Sequence, residues 1–130
     1  MQRISFPTKS IMRLFILLFI TTFLHVAGFS QVVKPEDAPK LVGKTVTVCG
    51  QIFDGRFLED ARTSPTLLNM GAEYPKQHLT IVIPLTVRRQ FGFKPEEQLQ
   101  QKHICVTGKI TKYQKSVQIV LEDKSQLRIL

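Results

Sequence analysis

Apolar and polar residues alternate along much of the chain after residue 44, and this alternation predicts strands with one buried face. In the run over residues 45–53, Val46, Val48 and Ile52 share one parity. The opposite parity holds Thr45, Thr47, Cys49 and Gln51. Gly50 falls in the apolar row, where a residue without a side chain favours a bend or a bulge. Residues 45–53 are therefore predicted to form the first long strand.

The remaining pattern predicts four further strands and a helical interruption. Strands are expected over residues 66–70, 78–84, 102–113 and 116–123, with "SQLRIL" at the carboxyl terminus as a further short strand. A capping turn or short helix is expected around Pro35, and residues 54–65 are expected to form a loop. Residues 85–99 predict one or two helical turns, separated at Gly92, with Pro95 at a helix start. The resulting order is β–β–β–α–β–β.

The first 30 residues have the pattern of a secretory signal peptide. Basic Arg3, Lys9 and Arg13 precede an uncharged apolar run over residues 14–29, and Gly28 and Ser30 suit a cleavage before Gln31. The run is shorter than the ~20 residues of a comfortable membrane span, so a retained signal anchor is the alternative. We expect an exported (periplasmic or extracellular) protein with a signal peptide over residues 1–30 and one domain over residues 31–130, without a membrane span after cleavage.

The charge balance permits several classes of partner. The whole chain of 130 residues carries a formal net charge of +8. Residues 1–30 contain three of its 18 basic residues and none of its 10 acidic ones, so residues 31–130 carry +5. This mild excess is compatible with nucleic acid, polysaccharide or a membrane surface, and also with ordinary solubility.

The predicted elements suit a small closed barrel, because closure removes unpaired strand edges. The stretches "TLLNMGAEYPKQHLTIVI" and "HICVTGKITKYQKSVQIVLED" resemble the small OB-fold domains of bacterial secreted proteins, which are similar to the anticodon-binding type of OB domain and sometimes accompany nuclease domains. The resemblance covers residues 40–130 and implies an all-β fold, a five-stranded Greek-key barrel with a short helix between strands 3 and 4. It also suggests binding of nucleic acid.

Within such a barrel the two cysteines are expected to form a disulfide. The first half of the first strand pairs with the fourth, and Cys49 and Cys105 lie on the outward parity of these strands. A bridge needs Cα atoms about 5.5 Å apart, which adjacent strands provide. Two free cysteines are the alternative. A two-cysteine metal site lacks a second pair of ligands, so neither a metal nor a cofactor is expected.

Candidate ligand-binding residues lie in loops and at strand ends, where OB domains contact their ligands. Cations would follow phosphates and aromatic rings would stack on bases. The alternative without a binding role is that the aromatic rings fill the ends of the barrel and the lysines are solvated turn residues. Arg88 and Arg89 are expected on a solvated helix face and are not candidates. The candidates are Arg56, Phe57, Arg62, Tyr74, Lys76, Lys112, Tyr113 and Lys115.

No catalytic constellation is present in the sequence. Asp54, Glu59 and Asp60 with two arginines superficially resemble the site of secreted thermonucleases, but their spacing does not match. We therefore expect a monomeric, non-enzymatic binding module. Single-stranded nucleic acid is the leading ligand class, and an envelope protein or glycan is the alternative.

Overall fold

The computed structural model describes residues 31–130, so the expected signal peptide lies outside the described residues. The strands are β1 (Val32–Val33), β2 (Thr45–Phe57), β3 (Thr66–Met70), β4 (Leu79–Ile83), β5 (His103–Tyr113), β6 (Ser116–Val120) and β7 (Leu127–Ile129). The helices are α1 (Leu85–Arg88) and α2 (Pro95–Gln98), with 3-10 helices over Pro35–Leu41 and Lys124–Gln126. Both helical turns and the short final strand confirm the expectations from the sequence.

Five of the strands close into a barrel. Their hydrogen-bonded order is β2–β3–β4–β6–β5, and β5 pairs back with β2. All neighbours are antiparallel except β4 and β6, which are parallel. With α1 and α2 between the third and fourth barrel strands, this is the OB-fold. The predicted fold class is confirmed.

The long strands β2 and β5 each take part in two halves of the barrel. Their first parts pair with each other, from Thr45 opposite Lys109 to Gln51 opposite His103. Beyond that, β2 pairs with β3 from Ile52 opposite Met70, with a register shift between Ile52 and Asp54, and β5 pairs with β6. The irregularity in β2 therefore lies after Ile52, whereas Gly50, where a bend or bulge is expected, pairs regularly with Ile104.

The apolar side chains that alternate along β2 face the interior of the barrel, as predicted. Val46, Val48 and Ile52 are buried in the barrel core. They pack with apolar residues of every other barrel strand and with Leu99 after α2. Burial of these side chains is the main source of stability for a barrel of this size.

The first strand is longer than the pattern predicts. Residues 54–57 continue β2 instead of starting the loop, and the loop to β3 covers residues 58–65. Asp54-Gly55 is a common turn pair, but here Asp54 pairs with Asn69 and Gly55 with Leu68 across the sheet. A Cβ on Gly55 would lie 2.9 Å from a Leu68 side-chain carbon, so Gly55 allows this close packing rather than a turn.

Arg88 is not on a solvated helix face, so the expectation is wrong for this residue, whereas Arg89 is exposed as expected. Its guanidinium forms a two-point ion pair with Glu96, in which Nη2 and Oε1 are 2.9 Å apart and Nη1 donates to Oε2. Nη1 also donates to Thr66 Oγ1 at 2.6 Å, and the guanidinium lies 3.9 Å above the Phe57 ring. Both charged side chains are only 13% exposed, so the pair fastens α1 and α2 to the ends of β2 and β3.

The predicted disulfide is confirmed. Cys49 and Cys105 are directly opposite each other on β2 and β5 and are bonded, with Cα atoms 4.0 Å apart. The bridge lies on the outer face of the sheet, where Thr47 and Thr107 also meet through a 2.7 Å hydrogen bond between hydroxyls. Arg128 of β7 lies opposite Cys105, and one of its guanidinium nitrogens is 3.9 Å from the sulfur. The bridge thus joins the two strands that close the barrel.

Candidate functional site

The candidate site is a groove of about 1190 Å³ on the outer face of the barrel. It crosses β2, β3, β4 and β6 and is bordered by the β3–β4 turn and the β5–β6 turn. Both turns lie at the same end of the sheet, because β4 and β6 are parallel and Thr80 is opposite Gln118. The groove therefore has a floor of strand side chains and two turns at one end.

A row of polar side chains crosses the floor. The strand register places Asp54 opposite Asn69, Asn69 opposite Thr80, and Thr80 opposite Gln118. Thr111 of β5 extends the row, because it lies opposite Gln118. The row thus crosses all five barrel strands. We call these five residues the polar row.

Hydrogen bonds connect three members of the polar row to one another. Asn69 Nδ2 donates to Asp54 Oδ1 at 2.6 Å, and Thr80 Oγ1 donates to Asn69 Oδ1 at 3.2 Å. Gln77, just before β4, donates from Nε2 to Thr80 Oγ1 at 3.3 Å. The backbone N–H of Tyr74 points at Asp54 Oδ2 at 3.4 Å. The network therefore holds the side chains of the floor in a defined arrangement and connects it to the β3–β4 turn.

An apolar row runs beside the polar row. Leu67 lies opposite Val82 and Val82 opposite Val120, all on the outward parity of their strands. Leu67 and Val82 are half-buried and Val120 is 40% exposed. Arg56 lies opposite Leu67 and ends this row on β2. The outer face thus offers a polar strip next to an apolar strip.

Two exposed tyrosines stand at the end of the groove. Tyr74 belongs to the β3–β4 turn and is 65% exposed, and Tyr113 ends β5 and is 58% exposed. Tyr113 lies opposite Ser116 on the outward parity, so its ring is on the groove side of the sheet. Exposed rings of this size are available for stacking against a flat ligand.

The structure brings together half of the residues predicted from the sequence. Arg56, Tyr74, Tyr113 and Lys115 line the groove. The other four, which do not line it, are Phe57, Arg62, Lys76 and Lys112.

Each of these four has a different location. Phe57 lies beneath the Arg88 guanidinium at the far end of β2. Arg62 is in the 58–65 loop, which lies at the other end of the sheet from the β3–β4 turn that carries Tyr74. Lys76 is exposed in the β3–β4 turn. Lys112 pairs with buried Val117, so it is on the opposite parity from Tyr113.

The polar floor itself was missed by reasoning from the sequence. The sequence pattern places Asp54 in a loop, and it does not single out Asn69, Gln77, Thr80 or Gln118. A signal is nevertheless present for these last four, because all of them belong to the two motifs that carry the OB-fold resemblance. Those motifs lie far apart in sequence, yet the strand register brings them to the same row.

Six ionisable side chains line the groove. Its ionisable side chains are Asp54, Arg56, Tyr74, His78, Tyr113 and Lys115. Across residues 31–130, no group of three or more His, Cys, Asp or Glu side chains is arranged to hold a metal ion. Nor does any helix in that range have the length and apolar character needed to cross a membrane.

Comparison with known proteins places few constraints on this site. Neither a protein-family model nor a curated protein sequence matches the chain. Among solved structures, a Leishmania major Friedlin chain assigned as an aspartyl-tRNA synthetase is similar at a TM-score of 0.49 and 10% identity, over 82% of the present chain and 22% of that chain. The present chain thus spans less than a quarter of that protein. The hypothetical protein ygiW from E. coli is similar at a TM-score of 0.43 and 19% identity, over 80% and 99% of the two chains. The fold assignment rests on the strand order and register described above.

Proposed function

We propose that the domain is a non-enzymatic binding module that holds single-stranded nucleic acid in the groove. The observation that carries this proposal is the position of Tyr74 and Tyr113, two exposed rings on adjacent turns at one end of a polar groove. Arg56 and Lys115 line the same groove. Stacking rings combined with cations along a groove is the usual way in which proteins bind single strands.

The geometry supports a division of roles between these residues. Bases stacked on the tyrosines would contribute about 1–3 kcal/mol each. Arg56 lines the groove from β2 and Lys115 from the β5–β6 turn, so a backbone crossing the groove can meet a cation from each. The apolar row of Leu67, Val82 and Val120 offers a surface for base or sugar faces. A strand of a few nucleotides suits this arrangement.

A neutral glycan is the second candidate, and the polar row is the observation that favours it. Asp54 places a carboxylate in the floor, which disfavours close approach of phosphates, and only two cations line the groove. Amide and carboxylate groups hydrogen-bond sugar hydroxyls, and OB barrels also bind oligosaccharides. An envelope protein stays the third class of partner.

The test is fluorescence anisotropy of labelled single-stranded DNA and RNA with residues 31–130 over a range of salt concentrations. We expect binding that weakens steeply with salt, because phosphate contacts release counterions. Tyr113→Ala should weaken binding roughly 5- to 150-fold, whereas Tyr113→Phe should retain most of it because the ring remains. If neither DNA nor RNA binds at low salt but soluble glycan fragments do, the groove is a glycan-binding site instead.

We also propose that the protein is exported and acts as a monomer. The disulfide supports export, because such bonds form and persist in oxidising compartments. Fusion of residues 1–30 to a reporter that is active only after export tests this proposal directly. Amino-terminal sequencing should then give Gln31, and the mature protein should elute as a monomer in size-exclusion chromatography.

A further inference from the structure

The Asp54 end of the polar row keeps hydrogen-bond acceptors free for a ligand. Asp54 accepts from Asn69 at 2.6 Å and from the Tyr74 backbone only at 3.4 Å. An ionised carboxylate has about four lone-pair sites, so much of its capacity is unused. At the other end of the network, Gln77 Oε1 is buried and has no hydrogen-bond partner among the described residues. Because Gln77 Oε1 is buried, the Asp54 carboxylate is the acceptor of this network that a ligand can reach.

The internal hydrogen bonds are directed toward Asp54. Gln77 donates to Thr80, Thr80 donates to Asn69, and Asn69 donates to Asp54. Thr80 has a single hydroxyl proton, which this arrangement commits, and one N–H of each amide is committed as well. The chain of bonds thus ends at the Asp54 carboxylate. A ligand that brings an N–H to this carboxylate complements it, and a ligand that brings another acceptor to it does not.

The bases differ in the group that they carry at the position of cytosine N4, and guanine carries the acceptor O6 there. Cytosine N4 and adenine N6 are amino donors, whereas thymine O4 is an acceptor, and carboxylates are suited to accept from cytosine N4. Uracil has the same acceptor oxygen as thymine. An oxygen placed against the Asp54 carboxylate would leave two acceptors facing each other without a proton, which is costly in a desolvated site.

Asp54 lies beside the β3–β4 turn that carries Tyr74. Its Oδ2 lies 3.4 Å from the backbone nitrogen of Tyr74, and both residues line the groove. A base that binds in the groove next to this turn can therefore meet the carboxylate.

We propose that the Asp54–Asn69–Thr80 part of the polar row selects the amino group found at cytosine N4 and adenine N6, so that the groove prefers cytosine and adenine over uracil and thymine. This proposal rests on the proposed function of the groove as a single-strand site. Asp54 contacts the amino group, and Asn69 and Thr80 position the carboxylate.

The experiment compares oligomers of deoxycytidine and deoxyuridine of equal length with the folded domain. These bases have matched size and stacking, and a deoxyadenosine oligomer is the second amino-bearing ligand. We expect the deoxycytidine oligomer to bind at least about fivefold more tightly than the deoxyuridine oligomer, the lower end of what one base-edge contact discriminates. In Asp54→Asn, an NH2 donor replaces one carboxylate oxygen, so the ratio of the two affinities should fall toward equality or invert.

The matched control is Asp60→Asn, which makes the same change of charge in the exposed 58–65 loop. It should alter the affinities for both oligomers together and leave their ratio unchanged. The ratio is the readout, so a general electrostatic effect of losing a carboxylate does not imitate the result. Thermal unfolding of each variant confirms that it is folded, and the wild-type ratio tests the proposal without any variant.

The outcomes separate this inference from the proposed function. Equal binding of all three oligomers overturns the base selectivity and leaves single-strand binding intact. Absence of binding by any oligomer overturns both. Selectivity that persists unchanged in folded Asp54→Asn overturns the role of the carboxylate.

Discussion

Lys112 and Lys115 are three positions apart at the end of the β5–β6 hairpin, but only Lys115 lines the groove. Lys112 lies opposite buried Val117, so it belongs to the row of β5 residues that faces the barrel interior. Its side chain is nevertheless exposed, because Lys112 is near the end of the strand, past the core. The pair therefore offers a matched comparison of two cations with the same chemistry.

The first prediction concerns this pair. Lys115→Ala should weaken binding of single-stranded DNA and lower the salt dependence by about one counterion, because one phosphate contact is lost. Lys112→Ala removes the same charge from the other parity and should have a smaller effect on both quantities. Anisotropy titrations at several salt concentrations measure them. Equal effects of the two variants would show that only the overall charge matters.

The second prediction concerns pH and the Arg88–Glu96 pair. The hydrogen bond from Arg88 is the main influence that holds the pKa of the Glu96 carboxyl below its usual value, against the opposing effect of burial. Because the pKa of Glu96 is lower in the folded state, the pair contributes its full stabilisation at pH values above the pKa that Glu96 has in the unfolded chain. This contribution is lost as the pH falls through the folded-state pKa.

Thermal unfolding of Glu96→Gln and wild type checks this. At neutral pH the variant should be less stable by about 1.5–3 kcal/mol, the range for hydrogen bonds to charged groups. The difference should shrink as the pH is lowered through the acidic range, because wild-type Glu96 then becomes neutral as well. Glu97→Gln is the control, since the Glu97 side chain is 63% exposed and its Oε1 lies 3.9 Å from Lys94 Nζ. A pH-independent difference between wild type and Glu96→Gln would contradict the assignment.

The third prediction concerns the disulfide. Replacement of both Cys49 and Cys105 by Ser should lower the free energy of unfolding by about 2–4 kcal/mol, because the bridge closes a long loop in the unfolded chain. The melting temperature of wild type should fall similarly in the presence of reductant, and that of the double variant should not respond to it. Alkylation of two thiols in the unreduced protein would show instead that the bridge is absent.

The fourth prediction concerns Gly50 and the approach of Pro35. A Cβ on Gly50 would lie 2.4 Å from Pro35 Cγ and 3.1 Å from Met70. Gly50→Ala should therefore push the 3-10 helix away from the barrel and cost about 1–3 kcal/mol, as overpacking does. Gly92→Ala is the control, because no atom lies within 4 Å of its added Cβ. Chemical denaturation of both variants measures the difference, and equal stability of the two would exclude this steric role.

The barrel could be predicted from local patterns because each strand carries its own signal. Val46, Val48 and Ile52 alternate with polar residues, so their burial follows from the period of a strand. The disulfide follows from the same parity once β2 is taken to pair with β5.

The polar row could not be predicted in the same way. Its members become neighbours only when the registers of four strand pairs are known, and a shift of one residue would turn a strand's side chains to the other face. Asp54 was hidden for a further reason, because Asp-Gly typically marks a turn. Arg88 was misjudged because its partner Glu96 lies beyond Gly92, in a different helical turn.

The disulfide also determines how the groove can respond to a ligand. The second parts of β2 and β5 form the two flanks of the groove sheet, and their first parts are covalently joined behind it. Because the bond holds β2 and β5 together, the flanks can move apart only if one of these strands bends, and not by separation of β2 from β5. In the proposed function, a ligand would therefore meet a binding surface whose width is set before it arrives. The ordering cost that a hinged groove would incur on binding is already met during folding.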